Sequence, residues 1–521
     1  MVSPSNHEQK APDALLVLRQ AQDERGGLGP EASATLEASP RQSARRLAIN
    51  ALAPMAARVV EMAFALVYLR ILGQAGTGTY QFVVVFTTYL DTVVDFGLNT
   101  VVARDARRSG AAVPAIFRGV ATLRLGLWLL GVPIVAVVYG PALNRTGLPP
   151  EAAAAGWLYF LALLPSLVAR TASGLLWAFE RLELTALVSL LSTLLRTVLN
   201  AVVLLAGFGL LGLASSSLLV NVVSAAVLVL LVVRTTPWRR REPGQVVGAV
   251  ARPAGLLRES WPLFINQLLQ GLFFKIDAAL LPPLAGVAAA GTYSAAYKVS
   301  EGTGVVSSNL TLALFPRLAA EAGASGGGLV RAYRLSLRFL LQVGVPLAAG
   351  GALLSEGIIS VVAGRGFLPG SAIALAILIW FVPFSYVNGL TQYVLIALGR
   401  QRLLTLAFLA AFAFNLGANV VLIPLYGYVG AAWVTVASEV VLLVPFGWVA
   451  ARAIPEVSLA REALRPVVAT VLMAPVVWWL RDAVNPVVAC AAGAAVYATA
   501  LWAVGGITAD EVAALRAVLR R

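Results

Sequence analysis

Fourteen mostly apolar runs follow one another along this 521-residue chain. They lie at 47–69, 80–102, 117–139, 153–179, 184–207 and 211–233, then at 261–281, 292–314, 335–354, 372–397, 403–425 and 429–450, and last at 466–480 and 486–504. A run of about 20 such residues is long enough to cross a bilayer as a helix. Lipid offers the backbone no hydrogen-bond partners, so a spanning segment must satisfy its own N–H and C=O groups. The expected fold class is an all-α polytopic membrane protein with fourteen transmembrane helices, numbered spans 1 to 14 in chain order. Charged residues make up only 12% of the chain, about half the usual share in a soluble domain.

Positive charge tests the count. With the N-terminus inside, and with Arg118 and Arg338 at the inner ends of spans 3 and 9 counted as cytoplasmic, the cytoplasmic segments hold 29 Lys and Arg, the exterior segments 4 (Arg70, Arg145, Arg365 and Arg481) and the rest of the spans 6, which accounts for all 39. Cytoplasmic loops carry such an excess, and one missed helix would invert every later loop. Both ends are therefore expected in the cytoplasm. The net charge of +14 resides mainly in loops that meet anionic lipid, so no nucleic-acid partner is implied. Residues 1–43, polar and containing Pro, Gly and Ser, are expected to be a disordered cytoplasmic tail, and no signal-peptide pattern opens the chain. A basic linker at 235–257 contains Arg239, Arg240 and Arg241. The cytoplasmic C-terminus is 507–521.

The chain is also built twice. Gly73, Gly78, Thr79 and Tyr80 recur 213 residues on as Gly286, Gly291, Thr292 and Tyr293. Gly209, Gly212 and Ala214 recur 218 residues on as Gly427, Gly430 and Ala432. Duplicated membrane units are a signature of transporters. Each unit has six spans, an even number, so both enter the membrane in the same orientation. Two six-helix bundles, 44–234 and 258–453, are expected around a pseudo-two-fold axis along the membrane normal, with spans 13 and 14 appended at 454–506. Pro165 and Pro383, also 218 apart, sit in the fourth span of each unit and are expected to break it.

Charges within a bilayer are costly and usually face a bundle interior or a watery cavity. Apart from Arg118 and Arg338 at the inner edges, the spans hold six bases, Arg58, Arg124, Arg170, Arg196, Lys275 and Lys298, and six acids, Glu61, Asp91, Asp95, Asp277, Glu301 and Glu439. The bases are candidates for binding an anionic substrate in a cationic cavity, the acids for coupling to H+ or Na+. Arg58 and Glu61, and Lys298 and Glu301, are three apart and share a helix face, as do Asp91 and Asp95 at four. Two carboxylates at that spacing need a proton or an Arg partner. None of these charges is duplicated between the units. Asn266, Gln267, Gln270, Asn388 and Gln392 are candidate sugar contacts, since an amide both donates and accepts; Asn99, Asn200, Asn221, Asn309 and Asn415 are further polar positions in the spans. The single His7 lies in the tail and the single Cys490 in span 14, where it reads as a packing residue. No disulfide, metal site or cofactor is expected.

Leu72, Gly73, Gly78 and Tyr80, followed by Asp95-Phe96-Gly97-Leu98, resemble the first two spans of polysaccharide flippases of the O-antigen type. Lys275, Asp277, Gly291, Thr292, Tyr293, Tyr297, Lys298 and Phe315-Pro316-Arg317 resemble their seventh and eighth spans. The resemblance, to the multidrug/oligosaccharidyl-lipid/polysaccharide exporter superfamily, covers about 44–450. It implies a bacterial inner-membrane flippase carrying undecaprenyl-pyrophosphate-linked oligosaccharide outward by alternating access. Membrane lipids, and a glycan polymerase or glycosyltransferases, are the implied partners. A pyrophosphate head needs cationic partners, which the span bases could supply. Two relatives compete, a lipid II flippase and a multidrug exporter; the second would need a cavity for organic cations, against which six buried bases argue. A glycosyltransferase or glycan polymerase is a third possibility, but the longest exterior loops, 139–152 and 355–371, offer only Glu151 and Glu356 as acids. The expectation is a transporter without enzymatic activity.

Overall fold

The computed structural model describes residues 40–109, 113–141, 147–236, 253–322 and 328–506. Most of the expected tail, the three-arginine run of the linker, the C-terminus and the side chain of Asn309 lie outside the described residues. Met1–Leu52 forms a unit of its own, described only as helix from Pro40 onward. Ala53–Arg521 is the second unit and carries the rest of the fold.

All regular structure among the described residues is helical. Among the described residues nine helices are long and apolar enough to cross a membrane, or ten with the bent pair Gly370–Leu378 and Phe381–Ala397. One of these, Gln401–Ala453, is two helices joined at Gly427, so it supplies spans 11 and 12. Spans 1, 2 and 8 complete the set; they lie in Pro40–Asp95, which turns at Gly73, and in Val287–Ala322. Many apolar side chains face outward: Leu205 is 76% exposed, Trp502 75% and Leu130 67%. Such a surface suits hydrocarbon as its solvent.

The duplicated glycines mark the tight turns. Gly73 and Gly286 have φ of +63° and +88°, and Gly209 and Gly427 have +52° and +58°. A left-handed residue lets one helix reverse directly into the next, and glycine takes that conformation without a Cβ clash. The second glycine of the first motif does something different. A Cβ on Gly78 would lie 1.9 Å from the Val287 carbonyl oxygen, and one on Gly291 would lie 1.8 Å from that of Gln74. The two copies thus pack on each other, backbone to backbone, where span 2 crosses span 8. Small residues permit such an approach in membranes.

Span 2 touches the second bundle at its other end too. Phe96 and Gly97 both have positive φ, +49° and +68°, and interrupt the helix before Leu98. For a bulky residue that backbone is strained and must be held from outside. Phe264 stacks on Phe96 at 4.3 Å between ring centres, with Trp261 tilted against it at 5.9 Å.

The two prolines act as expected. Span 4 is interrupted at Ala162 between Glu151–Leu161 and Leu163–Ala178, and span 10 bends by 40° before Phe381. Pro165 and Pro383 each lack an N–H for the carbonyl four residues back, which frees the helix to bend there. Cys490 is exposed on span 14 rather than packed inside, a departure from the sequence expectation.

Candidate functional site

In the first bundle four charges neutralise one another. Asp91 and Asp95 lie one turn apart on span 2 and face Arg124 of span 3 and Arg170 of span 4. Arg124, with 0% of its side chain exposed, bonds Asp95 at 2.9 Å. It also donates to Asn99 at 2.9 Å and Thr171 at 2.8 Å. Arg170 pairs with Asp91 and approaches Asp95 at 3.9 Å. The like-charged pair therefore has arginine partners. Arg124 has no surface to offer a ligand in this conformation, while Arg170 keeps 40% of its side chain exposed.

A second group gathers where the two bundles meet. Lys298 and Glu301 pair at 2.9 Å on span 8. Lys275 of span 7 and Arg58 of span 1 also lie within electrostatic range of Glu301. Glu61 acts on Lys298, and both act on Tyr80, as does Arg196 of span 5. Arg196 donates to Asn221 at 2.9 Å. Gly302 lets Met62 close on span 8, its methyl carbon 2.7 Å from where a Cβ would sit, which holds span 1 beside the cluster. Arg58, Lys275 and Lys298 thus gather about Glu301, with Glu61 near Lys298 and Arg196 joined to the group through Tyr80, and all six charged side chains are exposed or half-buried. Tyr68 and Tyr80 pack together at its edge, 5.2 Å between ring centres.

The acids of the second bundle are built differently. Asp277 is buried and accepts from the hydroxyls of Tyr293 and Thr435, the latter at 3.0 Å, and from the Ala278 N–H at 2.8 Å. Glu439, also buried, accepts from Asn388 at 2.7 Å. Neither has a basic ion-pair partner among the described residues. Buried carboxyls held by neutral donors are suited to binding a proton or a cation.

The amides divide by the same geometry. Asn266 joins span 7 to Thr405 at 2.8 Å, and Asn415 bonds Ser438 at 3.0 Å. Asn99, Asn200, Asn221 and Asn388 are likewise engaged between helices. Gln267, Gln270 and Gln392 are exposed or half-buried, and their amides make no interhelical hydrogen bond among the described residues. Sequence reasoning passed over the tyrosines. The signal was present in the repeat: Tyr80 and Tyr293 are copies of one position, yet the first borders the cationic cluster and the second holds Asp277.

Among the described residues no three His, Cys, Asp or Glu side chains converge as a metal site requires. The model of the polysaccharide biosynthesis protein family matches residues 43–320. No curated protein matches the chain. Among solved structures, the lipid II flippase MurJ in an inward closed conformation superposes with a TM-score of 0.68 at 12% identity, over 87% of this chain and 97% of that one. An inward-facing multidrug resistance MATE transporter of the MOP superfamily gives 0.55 at 17%, over 77% and 96%. A MOP superfamily transporter from Pyrococcus furiosus gives 0.51 at 18%, over 80% and 97%. At these identities the likeness is one of fold, that of a polytopic membrane transporter.

Proposed function

From the premise that the chain belongs to the polysaccharide biosynthesis protein family, we propose that it is a flippase for lipid-linked oligosaccharide, undecaprenyl-pyrophosphate-linked, moved from the cytoplasmic to the exterior leaflet of the inner membrane. The observation that carries this reading is the cluster between the bundles. Four bases gathered inside a membrane are a costly arrangement that an anionic head would help to offset. Arg58, Arg196, Lys275 and Lys298 are the proposed pyrophosphate ligands. Gln267, Gln270 and Gln392 remain the candidates for sugar hydroxyls. The lipid tail needs no pocket, since it can trail in the bilayer.

Alternating access fits the contacts of span 2. Its exterior end rests on span 8 through Gly78 and Gly291, and its cytoplasmic end rests on span 7 through Phe96 and Phe264. Releasing one contact while the other holds would expose the cluster to one side at a time. Asp277 and Glu439 are the proposed coupling acids, in a non-enzymatic cycle driven by H+ or Na+. A glycan polymerase or glycosyltransferases would supply or consume the cargo.

The test is flipping of lipid-linked oligosaccharide in proteoliposomes. Lys275→Gln with Lys298→Gln is expected to reduce transport more than 10-fold, while each Lys→Arg change keeps much of it. Full transport by the double Gln variant would refute the cationic site. A lipid II cargo is favoured only by the likeness to that flippase's fold, and it predicts arrested wall synthesis on depletion; lipid-linked glycan trapped in the inner leaflet with normal wall growth supports the first reading.

A further inference from the structure

A second basic site lies away from this cluster, where spans 9, 13 and 14 meet. A cavity of about 250 Å³ there is lined by Arg338, Gln342, Arg461, Glu462, Arg465 and Gly506. Glu462, buried on the helix Leu459–Leu480, bonds Arg338 at 2.8 Å and approaches Arg334 at 3.7 Å. That shared carboxylate fixes two guanidinium groups of span 9 against span 13. Arg465 donates to the Gly505 carbonyl at 2.7 Å, and Gln342 to that of Gly506 at 3.0 Å, which ties in the end of span 14. Arg334 also donates to the Glu456 carbonyl at 2.6 Å. Among the described residues the cavity is lined by three arginines, Arg338, Arg461 and Arg465, and one acid, Glu462, so that lining is cationic.

The neighbourhood decides what kind of anion fits. Gln342 also lines a larger cavity of about 420 Å³, whose walls include Leu347, Met473, Val477 and Ala494. Tyr497 donates to the Gln342 carbonyl at 2.7 Å and marks the boundary between them. A charged cavity and an apolar one thus lie side by side along the same helices, with Gln342 as their common wall. Leu464, which also lines the charged cavity, is 62% exposed and Val471 on the same helix 63%, so the cavity stands at the edge of a lipid-facing surface. A soluble phosphate would use only the charged part.

We propose that this junction binds an anionic membrane phospholipid, its phosphate held by Arg338, Arg461 and Arg465 and an acyl chain in the adjoining apolar cavity. Basic pockets between transmembrane helices take such headgroups, and each Lys or Arg near the surface adds an affinity increment. The lipid would bridge the two appended helices to span 9. Binding is separate from transport, so the proposal stands or falls apart from the flippase reading.

The test uses the full chain in neutral mixed micelles, titrated with phosphatidylglycerol or phosphatidylcholine. Retained lipid is read by native mass spectrometry and thermal stability in parallel. Phosphatidylglycerol is expected to bind and stabilise selectively. Arg461→Gln with Arg465→Gln should weaken it roughly 30-fold, from the increments of two arginines, while Arg461→Lys with Arg465→Lys should weaken it only a few-fold. Inorganic pyrophosphate at the same concentration should not displace it. Equal retention of both lipids, unchanged affinity in the double Gln variant, or displacement by equimolar pyrophosphate would each overturn the proposal. If the Gln variant does not fold, the wild-type lipid comparison and the pyrophosphate competition decide.

Discussion

Replacing Gly291 with alanine sets a methyl carbon 1.8 Å from the Gln74 carbonyl oxygen, and the same change at Gly78 sets one 1.9 Å from the Val287 oxygen. Carbon and a carbonyl oxygen rest no closer than about 3.3 Å across helix interfaces. Spans 2 and 8 must therefore part by about 1.5 Å at their crossing. The obstacle is backbone, which has no rotamer to turn away. Overpacking costs about 1–3 kcal/mol, and more where neighbours cannot yield. Taking about 3 kcal/mol, the closed contact at this crossing loses roughly 100-fold in population to any state in which the two bundles stand apart there. Spin labels at Ile71 and Leu284, both on exposed positions of the flanking helices, would report that separation by pulsed electron resonance. The expected result is a longer, broader distance distribution in Gly78→Ala and Gly291→Ala, with reduced export of the lipid-linked glycan. Gly271→Ala, which meets nothing within 4 Å, is the control. Unchanged distances and full export in both variants would refute the view that this crossing is the exterior contact of the transport cycle.

The buried charges and the strained turn are open to test as well. Asp95→Asn or Arg124→Gln leaves a buried partner unpaired and should cost about 3–5 kcal/mol; the double variant should lose less than the two singles together, as read by thermal unfolding in detergent. Asp277→Asn and Glu439→Gln should abolish the dependence of flipping on an ion gradient while leaving substrate binding within a few-fold, and gradient-driven transport at the wild-type rate would exclude them as coupling groups. Phe264→Ala removes the ring that holds Phe96 and should loosen the cytoplasmic end of span 2, seen as faster hydrogen exchange at 96–99 with little change at the Gly78 crossing.

Particular residues show how far local pattern reaches. The glycine pairs were legible as duplicated scaffold because a helix reversal needs a left-handed residue at a fixed chain position, and that requirement is local. Pro165 and Pro383 were legible as bends for the same reason: a missing N–H acts on its own helix. The pairing of Lys298 with Glu301 followed from three-residue spacing. The partners of Asp91 and Asp95 did not, since Arg124 and Arg170 come from spans 3 and 4. Nor could spacing tell that Asn266 and Asn388 are engaged between helices while Gln270 and Gln392 make no such bond among the described residues. Arg338 and Arg465 count only as cytoplasmic-side charge in one dimension; packing of span 9 beside span 13 brings them together with Glu462 around a pocket.

The sequence by itself determined the class of the molecule: apolar run length, the even number of spans per repeat and the lopsided loop charge are one-dimensional quantities, and the bilayer reads them one segment at a time. Tertiary structure alone decided which of the span charges gather with which. A span's rotation about its axis sets which helix each side chain faces, and that rotation is fixed by packing against neighbours distant in sequence. Two acids and two arginines therefore neutralise one another inside the first bundle, while four bases and two acids are left together where the bundles meet.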